Sequence, residues 1–203
     1  KNTIVIFSAD NGPAHYAYDR DEKFDHWSSQ PFRGVKRDVY EGGHRVPFIV
    51  KWPGVTKAGT VSDALVSQID IMATIADFVG YKLPDDQAED SHNLAPLLRG
   101  DVDAVRTTHI HNTTNTQYAI RHGDWVLIDA KEGYCKAHDE VEAWEEKHGS
   151  PVDDDQPAEL FNLVEDIGQR NNLAAEHPER VAELQKLLKQ IREQGYSAPR
   201  LAK

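Results

Sequence analysis

With one cysteine, Cys135, among 203 residues, the sequence has no partner for an internal disulfide and no basis for a multi-cysteine zinc site. An excess of positive charge is lacking too. Thirty-four acidic side chains against 23 basic ones give a formal net charge of -11, so the basic face of a general nucleic-acid binder is absent and no nucleic-acid partner is expected. No apolar run approaches the roughly 20 residues that span a bilayer, so no membrane span is expected. Neither an initiator methionine nor a signal-like segment precedes the first apolar run. The chain is therefore read as the later part of a longer protein, and the lack of a targeting segment carries no information about compartment. The histidines His15, His26, His44, His92, His109 and His111 fall into no spacing that suggests zinc. Internal repeats and low-complexity segments are absent as well.

What is present reads as an ordinary globular composition, 39% hydrophobic and 28% charged, in a chain long enough for one good core or two modest ones. Ile4-Val5-Ile6-Phe7 is an unbroken apolar run, the pattern of a strand covered on both faces. It runs straight into Asp10-Asn11-Gly12-Pro13. Those four residues all favour turns. They could equally set paired oxygen ligands at a strand tip, where open α/β sheets place their ligands. A polar segment from Tyr16 to Pro31 is expected to be a loop outside the core. Phe32-Arg33-Gly34-Val35-Lys36 then leads to Tyr40-Glu41-Gly42-Gly43-His44-Arg45-Val46-Pro47, where the two glycines permit positive φ or a close backbone approach. Phe48-Ile49-Val50 reads as another buried strand. Asp70 is a plausible N-cap for a short helix with Ile71, Ile75, Phe78 and Val79 on one face and Gly80 as its stop. Strand, loop, strand and helix at this spacing predict an α/β arrangement.

A second block starts near Thr107. Tyr118 to Ile128 reads as a hairpin turning at His122-Gly123-Asp124, Ala130 to Pro157 as charged and turn-rich, and Glu159 to Leu163 as a short strand. The chain closes on an amphipathic helix. Pro178 stands at its first position, Val181, Leu184, Leu188 and Ile191 recur at helical spacing, and Gly195 ends it. His109 and His111 would share one face of an extended segment and are expected at the surface.

The ordered segments ADNG, RGVK, YEGGHRVPFIVKWPG, SQIDIMATIADFVG, LAPLLRG, AIRHGDWVLI and ELFNLVED resemble the latter half of sulfatases of the arylsulfatase type, over nearly the whole chain. The resemblance implies an α/β fold, the latter part of an alkaline-phosphatase-like, mostly parallel sheet with flanking helices. A small C-terminal α+β subdomain with an antiparallel sheet and a closing helix follows. Residues 1–106 would belong to the catalytic domain and 107–203 to the subdomain. The implied activity is sulfuric ester hydrolysis, on a sulfate ester and by family habit a sulfated glycan, in a periplasmic, secreted or lysosomal setting.

By the same resemblance Asp10 and Asn11 are ligands of one Ca²⁺ per site. A hard cation takes roughly six to eight oxygens, and a carboxylate beside an amide carbonyl supplies charge with adjustable geometry. Gly12 is expected to leave room for the backbone to pass close to the ion. Lys36 is implied to reach a sulfate oxygen, as catalytic and substrate-binding residue, since an ammonium suits a tetrahedral anion gaining charge. His15, close to the strand tip, is a candidate for lining the substrate pocket. Arg33 and Arg45 are read as bracing the loop. Cys135 stands in GYCKAHDE and not in the family's C-x-P-S-R context, so the formylglycine nucleophile is expected in a missing N-terminal half that completes the site. The 203 residues alone are accordingly expected to be inactive. The alternatives are a phosphatase or phosphonate hydrolase of the same superfamily, or a non-catalytic, degenerate sulfatase-like domain.

Overall fold

A computed structural model of the chain describes residues 2–114, 116–135, 139–149 and 155–199. The elements in order are β1 (Val5–Ser8), α1 (Ala17–Phe24), the single turn α2 (Glu41–His44), β2 (Phe48–Lys51), α3 (Asp70–Phe78) and α4 (Ala95–Arg99). They continue with β3 (Thr108–Asn112), β4 (Tyr118–His122), β5 (Trp125–Ile128), α5 (Asp139–His148), β6 (Glu159–Asn162) and α6 (Pro178–Gln194). β1 pairs with β2, and a second sheet runs in the order β3-β4-β5-β6, giving the expected α/β class. Contacts group the chain into two compact units. One is Lys1–Phe7, Ile49–His109 and Leu187–Lys203; the other is Ser8–Phe48 and Ile110–Lys186. This grouping crosses the sequence boundary at 106, because the glycine-rich loops after β1 pack with residues from the second half of the chain. Among the described residues no helix is long and apolar enough to cross a membrane.

The unit holding Ser8–Phe48 and Ile110–Lys186 has the larger core. β4 and β5 form the expected hairpin, with Ala119 opposite Ile128 and His122 opposite Trp125. Gly123 occupies the turn at φ +60°, a left-handed conformation that glycine adopts without strain. β5 continues antiparallel to β6. Tyr40, Ala119, Val126, Ile128, Tyr134 and Phe161 fill the core beside this sheet. Two sequence expectations are corrected here. The segment from Tyr16 to Pro31 is not an outlying loop: it contains α1, and Ala17, Tyr18 and Trp27 are core residues. The charged stretch after Ala130 contains α5, which packs against α1. Its apolar anchors Val141 and Trp144 stand three residues apart, and Trp144 lies with its ring centroid 4.6 Å from that of Trp27. Two apolar positions among charges are too sparse a stripe to read as an amphipathic helix.

In the other unit, β1 and β2 depart from their sequence pattern. Val5, Phe7 and Ile49 are 50%, 61% and 61% exposed, although the run predicts cover on both faces. A two-stranded ribbon offers too little surface to bury its own side chains. α3 also differs. Its expected core residues Phe78 and Val79 are exposed, while Asp70, Thr74 and Ala76 are buried. Asp70 is the first residue of α3 and not its cap, a position held by Ile69. Its Oδ2 accepts from the Ser67 N–H at 2.8 Å and its Oδ1 from the His92 N–H at 2.9 Å, and Arg106 donates to Oδ1 as well. This buried carboxylate fastens three segments where an N-cap was expected. α6 runs as predicted, with Leu184 and Leu188 fully buried and Gly195 at φ +78° ending it.

Candidate functional site

β1 ends at Ser8, whose hydroxyl donates to the Pro47 carbonyl at 2.8 Å. Beyond it the chain turns through Asp10 and Asn11. The Asp10 side chain is exposed and Asn11 is half-buried. The Asn11 amide nitrogen donates to the Gly12 carbonyl at 2.9 Å, which leaves the amide oxygen as its metal-capable atom. Gly12 is fixed by close approach. Its N–H donates to the Gly43 carbonyl at 2.9 Å, and a Cβ on Gly12 would stand 1.8 Å from the Gly42 carbonyl oxygen. Gly42 and Gly43 are equally crowded: a Cβ on either would meet a backbone oxygen at 2.3 and 2.1 Å. None of the three has positive φ. Three glycines therefore let two backbone segments touch, where the sequence reading gave Gly12 the task of leaving room for an ion.

The second loop carries Lys36. Its backbone N–H donates to the Pro13 carbonyl at 2.8 Å, and its side chain is exposed. Gly34 at φ +85° and Arg37 at φ +82° bend the chain on either side. For a non-glycine residue such as Arg37 that conformation costs on the order of 1–3 kcal/mol, and such strain clusters at functional loops. Asp38 staples the loop by accepting from the Val35 N–H at 2.8 Å and the Cys135 N–H at 3.0 Å. Burial raises the Asp38 pKa above the usual carboxylate value. The two loops are thus joined by the Lys36–Pro13 and Gly12–Gly43 hydrogen bonds.

His15 lies at the start of α1, exposed, with its Nε2 3.8 Å from Glu140 Oε2 and its ring edge-on to Tyr18. Arg45 donates to Glu41 Oε2 at 2.9 Å and covers the Phe32 ring, which is the bracing role expected of it. His111, expected at the surface, is half-buried. Its Nε2 lies 2.9 Å from the Val39 carbonyl, its ring is 3.9 Å from that of His44, and burial lowers its pKa. His109 Nδ1 lies 3.1 Å from Arg106 Nη1.

The residues that sequence reasoning missed surround Arg33, which is only 4% exposed. Its Nε donates to the Tyr134 hydroxyl at 2.9 Å, its Nη2 to Glu145 at 2.6 Å, and its Nη1 to the Gln169 carbonyl at 3.3 Å and to Glu159 at 3.5 Å. The guanidinium lies over the Tyr40 ring at 4.1 Å, and the Tyr40 hydroxyl donates to Glu159 Oε2 at 2.8 Å. Burial pushes the Glu159 carboxyl up to about 7, with Arg33 opposing. No motif spacing announces this group, because its members come from both halves of the sequence.

For a divalent cation the donor set is incomplete. Among the described residues no group of three or more His, Cys, Asp or Glu side chains is arranged to hold a metal. Asp10 and Asn11 offer one carboxylate and one amide oxygen at an accessible tip, which fits part of a hard-cation shell.

Residues 1–81 match the Sulfatase family model. The N-acetylgalactosamine-6-O-sulfatase of Bacteroides thetaiotaomicron is 34% identical over 195 residues, covering 94% of this chain and 36% of that protein. An arylsulfatase of Hemicentrotus pulcherrimus is 29% identical, covering 86% of this chain and 33% of that one. A solved Bacteroides thetaiotaomicron structure, described under the metabolism of multiple glycosaminoglycans, superposes with a TM-score of 0.75 at 33% identity. It is covered over 95% of this chain and 39% of its own length. The chain therefore spans about a third of the length of the curated relatives it matches. It belongs to the sulfatase family.

Proposed function

We propose that the protein containing this chain is a sulfuric ester hydrolase, and that this chain supplies part of its metal and sulfate-binding site. The observation that carries the reading is the pairing of the two loops. Asp10-Asn11 and Lys36, the residues expected to hold a cation and a sulfate group, sit on segments locked together by the Lys36–Pro13 and Gly12–Gly43 hydrogen bonds. Family membership supports it.

Asp10 and Asn11 would hold Ca²⁺, with the rest of its shell coming from residues outside this chain. A bound cation would draw charge from the sulfuryl oxygens. Lys36 would donate from its ammonium to a sulfuryl oxygen, and the exposed stem leaves that group free to approach an anion. His15 would line the substrate side of the same tip. The nucleophile, a formylglycine by family resemblance, would lie outside the 203 residues, which alone would be inactive. The 34% identity to an N-acetylgalactosamine-6-O-sulfatase supports a sulfated sugar as substrate class.

The test is turnover of an aryl sulfate and of sulfated monosaccharides by the full-length protein, with and without a chelator. Chelator-sensitive release of sulfate is expected. Turnover of phosphate or phosphonate esters in its place, or of no ester at all, would overturn the reading.

A further inference from the structure

Both ends of the loop that carries Lys36 are tethered to one distant carboxylate. Arg33 precedes the loop and Tyr40 follows it, and the side chains of both reach Glu159 on β6. The tether is rigid for three physical reasons. Arg33 is pinned at four further points, namely Tyr134, Glu145, the Gln169 carbonyl and the face of Tyr40. Glu159 and Tyr40 are buried, so no water competes for their hydrogen bond. The Tyr40 hydroxyl also accepts from the Gly133 N–H at 3.0 Å, which fixes its orientation.

The tether also reaches the metal-side loop through backbone alone. The Gly42 N–H donates to the Arg33 carbonyl at 2.7 Å, and the Gly42 carbonyl oxygen lies against Gly12, the residue after Asn11. Gln169 adds a further anchor, accepting from the Glu41 N–H at 2.7 Å. A displacement of Arg33 or Tyr40 therefore moves Lys36 directly and Asn11 through two contacts.

We infer that Glu159, with Arg33 and Tyr40, is a positioning residue of the sulfate-binding site: it holds the Lys36 loop in register with the Asp10-Asn11 tip from the C-terminal sheet. The inference rests on the sulfate-ester reading for its catalytic consequence and on geometry alone for its mechanical one. Misplacing a catalytic group by about 1 Å can cost about 10²-fold in rate, so loss of a tether need not unfold anything to be felt.

The experiment uses the full-length protein with Glu159→Gln, which keeps the shape and one hydrogen bond to Tyr40 but removes the charge facing Arg33. It also uses Glu145→Gln, a milder change at the part-exposed edge of the same network that preserves the fold if Glu159→Gln does not. Two readouts are taken. Hydrogen exchange over residues 32–44 should speed while residues 118–128 stay protected. In the same protein kcat on an aryl sulfate should fall about tenfold or more, with KM changed less than about twofold and product inhibition by free sulfate weakened. Unchanged exchange over 32–44 in both variants would overturn the tether. Faster exchange with unchanged kcat and sulfate inhibition would overturn the positioning role. A wild-type protein without sulfate-ester turnover would instead overturn the function proposed above, with the exchange readout still deciding whether the tether exists.

Discussion

Replacing Gly12 by alanine tests the glycine contact on which the candidate site is built. The new methyl would stand 1.8 Å from the Gly42 carbonyl oxygen, where ordinary contact begins near 3.4 Å. The backbones must therefore part by about 1.6 Å, the difference of those two distances. Gly42 is crowded on its other side too, since a Cβ on it would stand 2.3 and 2.5 Å from the Gly34 and Arg33 carbonyl oxygens. Neither does φ matter, because Gly12 has none of the left-handed geometry that alanine resists. The cost is steric: about 1–3 kcal/mol for overpacking, plus about 1 kcal/mol for the strained Gly12–Gly43 hydrogen bond. The functional effect should be larger than the stability effect, because a shift above 1 Å next to Asn11 predicts a loss of about 10²-fold in turnover. The assay is denaturant unfolding, Ca²⁺ titration and aryl-sulfate kcat of the full-length variant. Gly123→Ala serves as control. It strains a left-handed turn by about 1–2 kcal/mol, has open space around it, and should leave turnover unchanged. Wild-type stability, metal affinity and kcat in Gly12→Ala would refute the reasoning.

Asp10→Ala should weaken Ca²⁺ binding and abolish most turnover while leaving the fold intact, because the side chain is exposed at the tip; retained metal affinity and activity would remove Asp10 from the shell. Lys36→Ala should lower kcat by about 10²–10³, the scale for removing one stabilising donor, and weaken inhibition by sulfate in parallel; unchanged kinetics would make it a solvated loop residue. Glu159 predicts a pH dependence of stability. Its folded value is raised from 4.5 to about 7, so its contribution is fully present below 4.5 and is lost as pH rises through about 7. At about 1.4 kcal/mol per unit the wild-type protein should lose up to about 3 kcal/mol over that window relative to Glu159→Gln. Parallel stability curves from pH 4.5 to 8 would contradict it.

The parts of the fold that the sequence disclosed are those whose cause is local. The turn at Gly123 follows from backbone permissiveness, and α6 follows from Pro178, a helical stripe and Gly195. Asp10, Asn11 and Lys36 are candidates on the strength of ordered motifs, and the contact that joins their loops has no such signal in the sequence. Gly42 and Gly43 leave positive φ and a close backbone approach both open; the structure shows the close approach, and Gly12 takes part in it. α1 and α5 carry no legible stripe because each buries a single aromatic side chain towards the other, Tyr18 and Trp144, and presents charge elsewhere. Trp27 and Trp144 find each other only after the chain has folded.

Arg33 shows where such reading ends. The hydrogen-bond partners of its guanidinium lie 101 to 136 residues away in sequence, and each of them alone is an unremarkable Tyr, Glu or Gln. A buried guanidinium requires compensation, since an unpaired buried charge is far costlier than a paired one. That requirement can be stated from the sequence only once burial is known. β1 and β2 pose the opposite case. Their apolar runs state a requirement for cover, yet Val5, Phe7 and Ile49 are largely exposed. A hydrophobic pattern records the surroundings to which a segment is adapted, whereas burial records the surroundings it has. Where the two agree, as at Leu184 and Leu188, the pattern places the residue in the core. Where they disagree, as along β1, the same pattern marks a surface still able to bury apolar area against another element, with a gain of about 25 cal/mol for each Å² covered.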